Sequence, residues 1–262
     1  MSDRFSLPRP VVCAAMLGAA LFVGAAACTD VSGSSTSVLS LQFDSLPFPA
    51  VVVGDTLRDT TGAVVLPVVH AFNFKGAEIT PAPIFFLSPD SGVTVDSATG
   101  IVVGDSLRST PARIVATVGT LQAIQKVSLT LSPNLAQAVN GLDTLQYSLF
   151  DSTLNVSHSL TVKLTHGIAP NDSAVNSWLV SFAIVSQHDP RLGELVNTSR
   201  KPSVVATTDA SGVAGIAIRL HPVFLGSTTA LDSIVVNATA KYRGAQVNGS
   251  PVRLVLILKP PG

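Results

Sequence analysis

The sequence predicts an all-β protein built as two tandem sandwiches, and three observations carry that prediction. Val, Ile, Leu, Thr and Ser dominate while long helix formers are scarce, the composition that pleated, half-buried strands favour. From Val38 onward the apolar residues come in short runs, several alternating with polar ones, as in Leu160-Thr161-Val162-Lys163-Leu164-Thr165. Gly, Pro and Asp punctuate these runs at the rhythm of sandwich turns, which differs from that of βαβ units. Charged residues are 12% of the chain, about half the usual share of roughly 25%. Lys plus Arg equal Asp plus Glu at 16 each, so no net field steers the chain to nucleic acid, and there is no basic cluster.

The chain opens on an export signal. Arg4 and Arg9 precede an apolar run from Val11 to Ala27, which ends at Cys28. A short positive head, an apolar stretch and small residues before a break form the layout of a secretory signal. The run is 17 residues, diluted by seven alanines and two glycines, where a spanning helix wants about 20 strongly apolar ones. Cleavage is expected after Ala27, so 1–27 is the signal peptide. Cys13 leaves with it, and Cys28 is then a lone cysteine, which rules out an internal disulfide in the mature chain.

Ala25-Ala26-Ala27-Cys28 resembles the bacterial lipoprotein box, with Ala25 where members usually carry leucine. The resemblance implies a diacylglycerol thioether on Cys28 and a membrane partner held through that lipid. Ala25-x-Ala27 also suits ordinary signal cleavage, which would leave a secreted protein. Thr29 directly after the cysteine implies outer-membrane sorting by the same analogy. Residues 28–37, TDVSGSSTS after the cysteine, have too little apolar surface to offset the entropy of ordering and read as a lipidated tether.

The first domain is expected over 38–132. Strands are expected at 38–43, at 51–53 before the turn pair Gly54-Asp55, and at 64–74 with an interruption at Pro67. Others follow at 83–87, 93–95, 101–103, 114–118 and 123–131. VVVGDTL at 51–57, SPDSGVTVDSATGIVVGDS at 88–106 and ARIVATVGTLQAIQKVSLTLSP at 112–133 resemble the bacterial immunoglobulin-like domain of group 2. The octapeptide VVVGDTLR at 51–58 returns as IVVGDSLR at 101–108. Its flanks differ, so it reads as two similar turns in one domain and not as a tandem repeat.

Residues 133–141, PNLAQAVNG, lack alternation and are expected as a linker to a second domain over 142–262. Leu160, Val162 and Leu164 face inward on one strand, and Trp178, Val180, Phe182 and Ile184 share one face of another. A polar stretch at 186–202 separates these from strands at 204–208 and 213–220, with the turn Asp209-Ala210-Ser211-Gly212 between them. A strand at 234–242 turns at Arg243-Gly244, and 247–258 completes the domain; within it 252–259, largely apolar on both faces, is expected as a central strand stopped by Pro260-Pro261. Thr207-Thr208-Asp209-Ala210-Ser211-Gly212-Val213-Ala214 resembles the hairpin of the group 1 immunoglobulin-like domains of invasin- and intimin-type surface proteins.

Candidate chemistry is sparse. His70, His158, His166, His188 and His221 form no HExxH or H-x-H spacing and read as solvated or capping residues. There is no G-x-S-x-G elbow and no S-x-x-K motif, so no catalytic residues, no cofactor and no metal are expected. Asp90, Asp96, Asp105 and Asp209 carry hard oxygens suited to calcium, but each stands beside Gly or Ser as turn formers do. Asn155-Val156-Ser157 and Asn237-Ala238-Thr239 match the glycosylation sequon at chance frequency. Trp178 with Tyr242, or Phe85-Phe86, offers a sugar platform if exposed, although alternating strands put such residues in a core. The resemblances together imply a non-enzymatic cell-envelope scaffold or adhesion module, contacting a protein or polysaccharide through its sandwich-end loops. The alternative is a secreted or anchored carbohydrate-binding protein.

Overall fold

A computed structural model describes residues 37–226 and 231–260. The signal peptide and Cys28 lie outside the described residues. The chain is all-β, as its composition and turn rhythm predict, with two 3₁₀ turns at Ser152–Leu154 and Pro222–Phe224. No helix among the described residues is long and apolar enough to cross a membrane.

Eight strands build the first body: β1 (Ser40–Phe43), β2 (Ala50–Val52), β3 (Val69–Phe72), β4 (Phe85–Leu87), β5 (Val93–Val95), β6 (Val102–Gly104), β7 (Ala112–Val118) and β8 (Leu121–Thr130). One sheet has the order β2-β8-β7-β4, with β2 parallel to β8 and the other pairs antiparallel; β1-β3 and β5-β6 are separate ladders. Val51, Leu57, Val93, Val102, Ala112, Ile114, Val127 and Leu129 form its core. The 64–74 stretch is shorter as a strand than its composition suggests. Pro67 has no N–H to donate, only Val69–Phe72 pairs with β1, and Val64 instead bridges to Arg58.

The 133–141 stretch is not slack. It holds β9 (Leu135–Asn140), which pairs with β11 (Leu160–His166), and Ala136 lies in the second core. β9 continues into β10 (Leu142–Gln146) through Gly141, and at that bend the chain changes sheets, because β10 runs parallel to β20 (Val252–Lys259). A Cβ at Gly141 would sit 2.9 Å from the Ala138 Cβ, so the bend needs glycine. β9 shows no clean alternation because the strand is brief and half exposed.

The remaining strands are β12 (Ser173–Ala174), β13 (Leu179–Ser186), β14 (Gly193–Val196), β15 (Val205–Thr207), β16 (Val213–Leu220), β17 (Asp232–Thr239), β18 (Lys241–Tyr242) and β19 (Ala245–Gln246). Two sheets, β10-β20-β17-β13-β15 and β12-β11-β16-β14 with β9 beside β11, enclose Leu160, Leu164, Phe182, Ile216, Ile234, Leu254 and Leu256. β20 is central, flanked by β10 and β17, as its apolar faces predict. Two expectations need correction. The 186–202 stretch contains β14, anchored by the buried Leu192, Leu195 and Val196, a run too short to show a period. The strand expected at 234–242 breaks after Thr239, and β18 folds back on β19 as a two-residue ribbon.

Candidate functional site at the junction of the two sandwiches

The two bodies share one core. Phe48, Ala50 and Val52 project from the β2 side of the first body into the cluster that contains Trp178 and Val180 of the second, while Val51 faces its own core. This follows from strand alternation, in which successive residues serve opposite faces. The Phe48 and Trp178 rings lie 4.7 Å apart, and Tyr242 meets Trp178 edge-on at 5.9 Å.

Beyond β2 the two copies of the octapeptide meet. The Gly54 N–H donates to the Gly104 carbonyl at 2.7 Å, and the Gly104 N–H donates to the Asp55 carbonyl at 3.0 Å. Gly54 has φ +79, and a Cβ at Gly104 would come within 2.7 Å of the Val52 carbonyl oxygen. Glycine is therefore needed in the first copy for its backbone conformation and in the second for close approach. The crossing turns the Asp55 carboxylate, 5% exposed, toward the second body.

That carboxylate is saturated with donors. Its Oδ1 accepts from the Thr56 N–H and from Arg58 Nη2, both at 2.9 Å. Its Oδ2 accepts from Arg58 Nε at 3.0 Å, and from the Tyr242 hydroxyl and Arg243 Nε of the second body at 2.9 Å each. Burial pushes the Asp55 carboxyl upward, but the Arg58, Arg243, Thr56 and Tyr242 donors outweigh it and hold the group far below the usual carboxylate range. Burial, together with its bond to Asp55, raises the Tyr242 hydroxyl. A group so strongly held in its ionised form is a poor general base, whose pKa should lie near the working pH. What the arrangement does is join two bodies. Alongside it, the turn at Gly62 (φ +92) packs on the Arg243-Gly244 turn so tightly that a Cβ at Gly62 would fall on the Gly244 nitrogen.

The structure distributes the other sequence candidates widely. Asp96 and Asp209 cap their own turns. Asp96 accepts from Thr99 N at 2.7 Å, and Asp209 from Ser211 N at 2.8 Å and Val213 N at 3.0 Å. Asp90 is a fork partner of Arg113 at 2.9 and 3.0 Å and is pulled to about 2 by that guanidinium. Asp105 accepts from the Thr94 hydroxyl at 2.7 Å. His70 lies between Glu78 (2.8 Å) and Asp44 (3.3 Å), His158 is 3.3 Å from Asp143, and His166 donates to the Ser132 carbonyl at 2.7 Å. His221 lies where the Pro222–Phe224 turn begins, and the His188 ring lies against Gly226. Among the described residues no three His, Cys, Asp or Glu side chains gather as a metal centre. Asn155 is 2% exposed and spends its amide on Ser148. Asn237 sits on β17.

The aromatic platform is not available as expected. Trp178 is 4% exposed beneath Phe48 and Tyr242, and Phe86 packs on the first core, which leaves Phe85 outside. Sequence reasoning read Gly54-Asp55 and Arg243-Gly244 correctly as turns but missed that they meet. The only hint was Asp55-x-x-Arg58, an acid and a base at a spacing that suits a local ion pair.

No family model matches the chain, and no curated protein matches it. Among solved structures, the S-layer protein SbsC aligns at 10% identity over 87% of this chain and 28% of that one, with a TM-score of 0.31. The protocadherin GammaB4 extracellular domain aligns at 11% identity over 85% and 34%, TM-score 0.29. Human protocadherin-24 EC1-2 aligns at 13% identity over 86% and 100%, TM-score 0.27. The chain thus spans less than a third of the SbsC chain it is similar to.

Proposed function

We propose that the chain is a non-enzymatic cell-envelope lipoprotein whose two sandwiches act as one stiff spacer. Lipid on Cys28 holds it to the outer membrane, and its loops are presented to a protein or polysaccharide. The observation that supports this reading is the junction. A shared apolar core and a carboxylate ligated from both bodies resist bending, whereas sandwiches joined by a slack linker would swing freely. More than one acyl chain is needed for a stable hold on a bilayer, and a lipoprotein thioether with an added amide-linked chain meets that need.

Two measurements test it. Mass spectrometry of the mature N-terminus, with palmitate labelling of wild type and Cys28→Ser, is expected to show lipid on the wild type alone. A wild type without lipid leaves the secreted form. Spin labels at Gln122 and Val185, one on each body, are expected to give a narrow distance distribution. A broad one overturns the spacer.

A further inference from the structure

The geometry points to a binding site for an acidic polysaccharide in the cleft beside the junction. This rests on the spacer reading, since the cleft exists only while the two bodies keep their relative positions. The cleft, ≈ 440 Å³, has one wall from each body. One wall is the turn that carries Thr60 and Thr61. The other is the outer face of the second body's β10-β20-β17-β13-β15 sheet, where register places Ser181 on β13 opposite Thr239 on β17. Alternation then puts Leu179 and Lys241 on the same face, one position nearer the first body.

Three features of this surface set the ligand's chemistry. The Lys241 ammonium makes no ion pair among the described residues, and Arg253, opposite Asn237 on the same face, makes none either. Two carboxylates lie in the adjoining loop, Asp55 shared between Arg58 and Arg243 and Asp59 held by Thr61 and Ala63, and both keep their negative charge. Four cations, Lys241, Arg253, Arg58 and Arg243, thus stand against these two anions, and the surface carries a net positive charge. Among the described residues the Thr60, Ser181 and Thr239 hydroxyls have no partner, so these groups are open to donate and accept. Leu179 and Phe48 supply an apolar floor. A chain of linked sugars carrying carboxylates meets all three demands, with carboxylate on ammonium, hydroxyl on hydroxyl and the ring's C–H face on the floor. A neutral glycan leaves the cations unused, and an acidic peptide leaves the hydroxyl pair poorly matched.

Isothermal titration of the full chain tests this with hexagalacturonate, maltohexaose and hexaglutamate as probes. Saturable binding of the uronate alone is expected, weakened about tenfold or more, or roughly 1.4 kcal/mol, by Lys241→Gln and less by Arg253→Gln. Both residues are exposed, so both variants should fold, and circular dichroism checks this. Ser181→Val should also weaken binding without changing its salt dependence. Absence of uronate binding at millimolar ligand overturns the site, as does equal binding of maltohexaose or hexaglutamate, or binding indifferent to Lys241→Gln. The spin-label distances separate the two readings: a narrow distribution without binding refutes the cleft and spares the spacer, and a broad one refutes the spacer itself.

Discussion

Asp55→Asn probes the junction at its most connected atom. The asparagine keeps one acceptor oxygen and turns an NH₂ toward donors, so at most three of the five hydrogen bonds survive. Arg58 and Arg243 are left facing one another without a counter-charge. Removing one partner of a buried ion pair costs about 3–5 kcal/mol. Arg58 is 26% and Arg243 54% exposed, so water recovers part of the loss and the expected cost is about 2–3 kcal/mol. At about 2–4 °C per kcal/mol for a unit of this size, the thermal midpoint should fall by roughly 5–10 °C. Urea titration followed by circular dichroism and by the fluorescence of Trp178, the chain's single tryptophan, measures it. The pH dependence has a definite sign. The folded-state value of Asp55 lies below its unfolded value of about 3.9, so its contribution is complete above about pH 5 and shrinks by about 1.4 kcal/mol per unit as pH falls below 3.9. The wild-type margin over the variant should therefore close between about pH 4 and pH 2. A variant within about 0.5 kcal/mol of wild type at neutral pH, or a margin that persists undiminished in acid, refutes the reasoning.

Gly62→Ala is expected to force the Gly62 and Gly244 turns apart, because its φ is +92 and the new Cβ has no room. A loss above about 1 kcal/mol, with broadened Gln122–Val185 spin-label distances and an unchanged far-ultraviolet spectrum, would mark a junction defect; unchanged distances would count against the contact. His70 should titrate above 6.5, since the Glu78 carboxylate first and Asp44 second favour its protonated form. Its stabilising contribution is full below about pH 6.5 and is lost as pH rises through the folded value. Ring-proton shifts in NMR check this, and Glu78→Gln should move the titration back toward the ordinary histidine range.

Strand runs with a clean period were legible from the residues. Leu160, Val162 and Leu164 are buried in the second core as their alternation implies, and β20 is central as its two apolar faces require. β9 and β14 were not legible, because a strand of four to six residues with one solvated face contains too few apolar positions to show a period. Nor was the role of Asp55. VVVGDTLR and IVVGDSLR are nearly the same words, and both place an aspartate after a glycine. Asp55 is buried against a second body, while Asp105 is exposed and takes a threonine hydroxyl. What separates them is contact with Tyr242 and Arg243, 187 and 188 residues away, and no local pattern encodes that distance. The tryptophan shows the same limit: its alternation implied burial, but not that the burying surface would come partly from the other domain.

The junction is also where the described chain is least satisfied. Thr56 Oγ1 and Trp178 Nε1 are buried there without a hydrogen-bond partner, and Thr130 Oγ1 is buried opposite Val52 in the same condition. Each such atom costs about 1–3 kcal/mol, so the closed arrangement has to be held against a standing penalty. The apolar contact of Phe48 with Trp178 supplies part of that hold, and the Asp55 ligation supplies the directional part. Because Asp55 stays ionised throughout the range where carboxylates ordinarily titrate, mild acid leaves the joint shut. The same ligation offsets one of the two guanidinium charges beside the neighbouring cleft. With Arg58 and Arg243 sharing one carboxylate, Lys241 and Arg253 are the neighbouring cations without an ion pair among the described residues. Loss of Asp55 would therefore do two opposed things to an anionic guest: it would strengthen the local positive field and loosen one of the two walls. If the proposed spacer and cleft both hold, Asp55→Asn should loosen the junction and change anion binding together.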